Sequence, residues 1–269
     1  MKLAILGPKG TFSHEAALSL DPQAELLFQR TIRDVFEQTA EGAAGAGLVP
    51  LENSVSGSVG DTLDAFTATE LTIEKEVIHP VVQNLAGIAE TSRIKSIFTH
   101  PQSYAQCEGF LHEHYPDAEI VPTSSNGKSA ELLAESGSPD LAAILPEMAI
   151  DLYGLKKLRP AIQDNPFNVT RFVLVSEKTT QATSYDRTSL LLYPQIDHPG
   201  LLHDILGLLA ARGINMSKIE SRPAKGKLGD YIFFIDIQGH IQDTAVAEGL
   251  KDLSKKAFLK VLGSYPRQY

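Results

Sequence analysis

Tryptophan is absent from this 269-residue chain, cysteine occurs once and methionine three times. A lone Cys107 excludes an intrachain disulfide and fits a reducing compartment. No run approaches roughly 18 uncharged apolar residues, so no membrane-spanning helix is expected. The apolar start over residues 1–7 is too short for a secretory signal, and the single cysteine fits a reducing cytoplasm. The eight histidines show no HExxH or paired metal spacing, and Gly7-Pro8-Lys9-Gly10 lacks the spacing and ending of a P-loop, so neither a metal nor a nucleotide is expected. No Lys/Arg stripe with interleaved aromatics occurs, which removes the electrostatic basis for binding nucleic acid.

What is present is a globular composition, 43% hydrophobic and 21% charged, with a net charge of −9. Residues 1–178 hold 13 Lys and Arg against 24 Asp and Glu, whereas residues 187–269 hold 11 against 8. The chain changes character near residue 180, where residues 179–186 are polar and read as a linker.

Before that boundary, short apolar runs alternate with helical patterns. Runs at 2–6, 25–29 and 45–51 precede helices at 14–20, 31–41 and 61–68; runs at 94–99, 119–121 and 141–145 precede helices at 101–114, 126–135 and 146–152. Such alternation builds mostly parallel sheets covered by helices. Two extended stretches break it, 71–88 and 169–176, and read as crossovers joining two α/β lobes, with the chain returning to the first lobe at the end. A cleft follows from that arrangement. Beyond the linker, residues 187–269 read as strand, helix, strand, strand, helix, strand, the ferredoxin-like βαββαβ order, with open sheet edges that a second copy can cover.

Short polar residues recur at the strand-to-helix junctions: Thr11 and Ser13, Asn53 and Ser54, Thr99 and Gln102, Ser124 and Ser125. In parallel sheets these junctions collect at the carboxyl ends of the strands, where ligands bind. Taken singly each is an ordinary helix cap. Together, several helix N-termini can hold an anion in a domain so rich in acid, with Lys9, Lys128 and Arg171 as the few nearby cations. Cys107 lies within the 101–114 helical pattern and reads as a packed small residue, while His112 and His114 read as exposed. Glu52 reads equally as a general acid and as a salt-bridged structural carboxylate. Thr170-Arg171-Phe172, opening a strand behind a constrained polar approach, sets a hydroxyl beside a guanidinium, a pairing suited to hydrogen-bonding an oxygen and neutralising a carboxylate; a plain strand Thr beside a surface Arg is the bland alternative.

Gly7-Pro8-x-Gly10-Thr11-Phe12-Ser13, Val49-Pro50-Leu51-Glu52-Asn53-Ser54 with Gly57, His100-Pro101-Gln102 with Gln106-Cys107, Tyr153-Gly154-Leu155, Ile162-Gln163-Asp164, Asn168 and Thr170-Arg171-Phe172 stand in the order of the prephenate dehydratase motifs, and the chain resembles that family. Gly213-Ile214-Asn215, Glu220-Ser221-Arg222-Pro223 and Tyr231-x-Phe233-Phe234 resemble the regulatory ACT domain that follows in it.

The resemblance implies a cofactor-free enzyme of phenylalanine biosynthesis that converts prephenate to phenylpyruvate, water and carbon dioxide. It implies a two-lobed catalytic domain like the type 2 periplasmic binding proteins over residues 1–178, with lobe one about 1–75 and 160–178 and lobe two about 76–159. Residues 187–269 would be the ACT domain.

Carried over position by position, Thr170 assists departure of the ring hydroxyl, sharing any full proton transfer with Glu52 or water. Arg171 orients a substrate carboxylate or the motif itself, and Phe172 shapes the pocket. Thr11, Ser13, Asn53, Ser54, Gly57, Thr99, Gln102, Gln106, Ser124 and Ser125 line the cleft. L-phenylalanine is the implied effector, held between ACT domains of a homodimer or homotetramer by Gly200, Leu201, Leu202, Asn215, Glu220, Ser221, Arg222 and Pro223. Two departures stand out. Gly200-Leu201-Leu202 replaces the family's Gly-Ala-Leu, putting a bulkier side chain where it would narrow the effector pocket, and Ser124-Ser125-Asn126-Gly127-Lys128 replaces small apolar residues, setting Lys128 near the anionic ligand. The rival readings are arogenate dehydratase, the same elimination on an aminated substrate, and a two-lobed sensor that closes on an anion without chemistry.

Overall fold

A computed structural model describes residues 1–90, 93–194, 198–224 and 231–269. The chain packs as two compact units. One comprises Met1–Val35, Leu48–Val59 and Ile78–Phe172; the other comprises Phe36–Gly47, Gly60–Val77 and Val173–Tyr269.

The amino-terminal run is β1 (Lys2–Leu6), α1 (Phe12–Leu20), β2 (Glu25–Gln29), α2 (Ile32–Ala40), β3 (Ala46–Asn53), β4 (Gly57–Ser58), α3 (Gly60–Phe66) and β5 (Thr72–Pro80). A second run follows: β6 (Asn84–Gly87), β7 (Ser96–Thr99), α4 (Pro101–Ala105), α5 (Glu108–His114), β8 (Glu119–Pro122), α6 (Asn126–Ser136), β9 (Leu141–Leu145), α7 (Glu147–Leu152) and β10 (Lys156–Arg159). The chain then returns through β11 (Val169–Ser176) into the first sheet, whose order is β2-β1-β3-β11-β5 with β4 paired on β3. The expected crossover and return are present.

The second sheet, β10-β6-β9-β7-β8, lies wholly within the first unit. Its central strand β9, LAAIL, is a continuous apolar run because both faces are covered. Ala142 and Ile144 join Leu85, Ile97 and Leu111 on one side, and Ala143 and Leu145 join Ala130 and Leu133 on the other, the period of two that a strand dictates. α6 starts at Ser125, whose side chain accepts the Lys128 amide, and stops at Gly137, which takes the left-handed conformation that glycine adopts without strain.

The expected single helix over 101–114 is two helices. Gln106 closes α4, and Cys107, with φ −127° and ψ 10°, starts α5 outside helical geometry, so Cys107 lies between helices rather than inside one. It is fully buried against Leu85, Ile97 and Ile144. His112 and His114 are exposed. The extended stretch 71–88 is interrupted between Pro80 and Asn84, and β4 and β10 are strands that the sequence pattern does not announce.

Within the second unit, β12 (Asp186–Pro194), α8 (Leu201–Ala210), β13 (Met216–Pro223), β14 (Tyr231–Gln238), α9 (Thr244–Leu253) and β15 (Ala257–Pro266) give the βαββαβ order, and the sheet β13-β14-β12-β15 is the ferredoxin-like arrangement. α8 and α9 cover it through Leu190, Leu192, Ile205, Leu209, Ile235 and Ile237. Asp186, the last residue of the expected linker, is buried and opens β12 while accepting the Thr183 amide at 2.7 Å. In the same unit Arg187 of β12 bonds Glu76 of β5 at 2.7 Å, with side chains 2% and 0% exposed. The Tyr269 ring lies 4.4 Å from the guanidinium, and the Gln268 amide donates to the other Glu76 oxygen at 2.6 Å.

Removing one partner of so buried a pair strands the other charge, whereas replacing both by apolar groups does not. Glu76→Gln is expected to lower the unfolding free energy by about 3 kcal/mol in urea titration, with a Glu76→Leu/Arg187→Met double variant recovering most of it; an unchanged midpoint for Glu76→Gln would show that the pair contributes nothing. Burial, aided by the Asp164 carboxylate, pushes the Cys107 thiol up to about 12, so a thiol-specific disulfide reagent at pH 8 should label the native chain only at its opening rate and the urea-unfolded chain at once.

Candidate active site

A cavity of about 310 Å³ opens within the first unit, lined from both of its sheets. The first sheet supplies the β1–α1 turn with Thr11, Phe12 and Ser13, the end of β3 with Pro50 and Asn53, and Thr170 and Phe172 of β11. The second supplies His100, Gln102, Ser103 and Gln106 after β7, and Ser124, Ser125 and Asn126 after β8. Gly127 allows these two rims to approach: a Cβ there would stand 2.3 Å from the Lys9 carbonyl oxygen.

The cavity is anchored by one side chain. Asn53 accepts the amides of Val55 at 3.0 Å and Ser56 at 2.9 Å, which turns its NH₂ toward β11. There it donates to Asn168 Oδ1 at 2.7 Å, the Val169 carbonyl at 3.1 Å and Thr170 Oγ1 at 3.1 Å. Ser54 reinforces the junction, donating its amide to Val169 O and accepting the Val169 amide on its hydroxyl. Because Thr170 Oγ1 accepts from Asn53, its hydrogen is left to point elsewhere, and Thr170 lines the cavity.

Thr170 and Phe172 line the cavity while Arg171 between them does not, as side-chain alternation along a strand requires. Arg171 is 3% exposed and bonds Glu52 Oε1 at 2.7 Å. Of the two roles open to Arg171, the geometry fits orienting the motif; Glu52, its counter-ion, is likewise absent from the cavity wall. Lys9 and Lys128 are not on that wall either: Lys9 lies 5.8 Å over the Phe28 ring and Lys128 bonds Glu131 at 2.7 Å.

Among the described residues no Asp, Glu, Lys or Arg lines the cavity. What suits it to an anion is backbone. The Thr11 hydroxyl donates to the Pro8 carbonyl instead of capping α1, so the first-turn amides at Phe12 and Ser13 remain for a ligand, and α6 presents its N-terminus at Ser125 and Asn126. Leu6, Phe12, Ile32, Val59, Val81 and Phe172 supply an apolar wall.

Of the other expected residues, Gln102, Gln106, Ser124 and Ser125 line the cavity, although the Ser125 hydroxyl is engaged in capping α6. Thr99 is buried and off the wall, bonding the His100 carbonyl, Ser54 stays in the loop after β3, and exposed Gly57 opens β4. Four polar side chains to which the sequence assigned no site role also join the wall: Gln83, His100, Ser103 and Asn126. Gln83 Nε2 donates to Ser103 Oγ at 3.1 Å and Gln106 Oε1 at 3.0 Å, and Ser103 donates to Asn126 at 2.9 Å. The run His100-Pro101-Gln102 carried a readable signal, since a side chain before a first-turn proline often caps the helix.

In the second unit the expected effector residues divide by position. Gly200, at φ +89°, turns the chain into α8 after β12 ends, and the register Leu192↔Phe233↔Ser221 places the last residues of β13, Glu220 to Pro223, at that same end of the strands. Asn215 lies at the opposite end of β13, where its carbonyl accepts the Gln238 amide. Leu201 is 7% exposed and packs into the core, and Leu202 is half-buried, so the bulk of Leu201 goes inward instead of narrowing a surface pocket. Arg222 bonds Asp64 of α3 through Nε at 3.1 Å.

Comparison with known proteins now bears on these features. The prephenate dehydratase family model matches residues 3–180 and the ACT domain model residues 195–255. A bifunctional chorismate mutase/prephenate dehydratase of Aquifex aeolicus is 37% identical over 270 residues, covering 99% of this chain and 74% of that protein. The crystal structure of an Arthrobacter aurescens prephenate dehydratase in complex with L-Phe superposes with a TM-score of 0.93 at 39% identity, over 99% of this chain and 90% of that one. A structure described as a novel type of quorum-quenching acylase superposes at 0.90 with 28% identity, over 100% and 98%. The Asn53-anchored Thr170-Arg171-Phe172 strand thus sits inside the first matched region and the stretch from α8 to α9 inside the second, and the chain belongs to the prephenate dehydratase family, with an ACT domain following.

Proposed function

We propose that the chain eliminates water and carbon dioxide from prephenate to give phenylpyruvate, with Thr170 as the hydroxyl at the departing oxygen. The observation that carries this reading is the Asn53 to Thr170 hydrogen bond at 3.1 Å, which leaves the threonine as an oriented donor on a cavity wall that carries no formal charge among the described residues.

In the reaction the bond from the ring to the departing carboxylate breaks, its electron pair enters the ring, and the bond to the hydroxyl breaks on the far side of the ring. The ring becomes aromatic, and the hydroxyl leaves as water with one proton from solvent. Negative charge therefore drains from one carboxylate and gathers on the leaving oxygen. A hydrogen bond from Thr170 stabilises that oxygen where the charge develops. The absence of a cation among the described residues of the wall leaves the departing carboxylate unclamped, while first-turn amides at Phe12 and Ser13 suit the carboxylate that stays. Glu52 remains with Arg171, so solvent water rather than Glu52 supplies the proton.

The same reading assigns catalysis to residues 1–178, with lobe one about 1–75 and 160–178 and lobe two about 76–159. It assigns the connection to 179–186 and regulation by L-phenylalanine to 187–269, consistent with the L-Phe complex of the Arthrobacter relative. A homo-oligomer through the open ACT sheet edges, β13 and β15, and a cytoplasmic location belong to it as well; among the described residues no helix is long and apolar enough to cross a membrane. Acyl transfer of the acylase kind has less support, because no hydroxyl among the described cavity residues bonds His100, the one titratable group on the wall.

Incubation with prephenate should yield the alkaline ultraviolet absorbance of phenylpyruvate. Thr170→Ala is expected to lower kcat by about 10²–10⁴, with Thr170→Ser retaining most of it; an unchanged kcat in the alanine variant removes Thr170 from the mechanism. Among the described residues no carboxylate on the wall meets the ammonium of arogenate, so kcat/KM for prephenate should exceed that for arogenate by about tenfold or more, and equal values would overturn that preference.

A further inference from the structure

Three polar side chains on the cavity wall already spend donors on neighbouring side chains. Gln83 Nε2 is engaged with Ser103 and Gln106, Ser103 with Asn126, and Gln102 Nε2 with Ser56 at 3.1 Å. His100 differs. Its Nδ1 accepts the Gln102 amide at 3.3 Å, which makes it the cap of α4 and leaves the ring hydrogen on Nε2. No described residue accepts that hydrogen, and the half-buried ring stands on the cavity wall. Burial also holds its pKa below the ordinary histidine value, so at neutral pH the ring is an uncharged donor.

We propose that His100 is a substrate-binding residue, donating from Nε2 to an oxygen of the α-keto-acid tail that the substrate keeps through the reaction. This deepens the functional reading above and rests on it for the substrate's identity. The choice of oxygen follows from chemistry. A donor to the departing carboxylate would lose its partner's charge as carbon dioxide forms and would slow the step, whereas a donor to the retained tail holds ground state and transition state alike and acts on KM. A neutral imidazole suits that task in a cavity without full charges, because its hydrogen is already aimed by the backbone bond at Nδ1.

The two ring nitrogens can be replaced separately. Asparagine at position 100 can accept the Gln102 amide as the imidazole Nδ1 does, yet offers no donor at the reach of Nε2; glutamine places an N–H near the Nε2 position and gives up the cap. His100→Asn should raise KM for prephenate about tenfold with kcat within about twofold, and His100→Gln should bring KM back to within about threefold of the parent chain. The reverse order, an unaltered His100→Asn and an impaired His100→Gln, would assign His100 to capping alone and overturn the proposal, as would a fall in kcat at constant KM in His100→Asn. Calorimetric titration with phenylpyruvate separates this from failure of the functional reading. Weakening about tenfold in His100→Asn supports the donor role even if the parent chain does not turn prephenate over. Equal affinity of the two chains, or no binding by either, overturns it.

Discussion

One carboxamide holds the reactive region in place. Asn53 stands at the end of β3, and the groups it binds at the start of β11 and on Asn168 just before it are more than a hundred residues away in the chain. Its oxygen is committed to the turn that follows and its nitrogen to the strand that returns, so it can face only one way. Without it, β3 and β11 would still pair as strands, but the Thr170 hydroxyl would have no reason to favour one rotamer. The constraint is entropic: a hydroxyl already aimed needs no reorganisation as charge develops beside it.

A second constraint follows from charge. The first 178 residues carry an acidic excess, yet the cavity wall carries no formal charge of either sign among the described residues. Arg171 and Glu52 neutralise each other behind the wall, and Lys128 is neutralised on the flank of α6. An anion is thus met by peptide dipoles and hydroxyls. Such donors are fixed in direction, which favours selection by shape over attraction to any negative solute.

Much of this was legible in the sequence. The strand–helix alternation, the return strand and the βαββαβ order all follow from periodicity, and Thr170 and Asn53 were singled out by their places at strand ends. What escaped depends on information that a linear pattern does not carry. Arg171 and Glu52 turn away from the cavity because of the face each strand happens to present, and neighbours in a motif occupy opposite faces of a strand. The break at Gln106 and Cys107 lies within the spacing of Tyr104, Cys107 and Leu111, a helical period that continues across it. Short β10 follows a helix without any apolar alternation, since its place beside β6 is set by tertiary pairing. His100 stands out in the sequence only as part of the His100-Pro101-Gln102 motif, because Pro101 already explains the helix start and nothing in the order of residues aims the ring at the cavity.

The second unit draws residues 36–47 and 60–77 into the same compact body as the carboxyl-terminal sheet. Gly263 lies so close to Ile73 that an added Cβ would stand 2.4 Å from its carbonyl oxygen, and Glu76 spends its charge on Arg187. The boundary drawn by sequence similarity is therefore not a seam in the material. A lineage that exchanged its sensory half for another by recombination near residue 180 would inherit an acidic group sealed in hydrocarbon and a strand fitted to a glycine that is gone. Modular inheritance of such a protein demands that the distal piece evolve in step with a few interior positions far upstream.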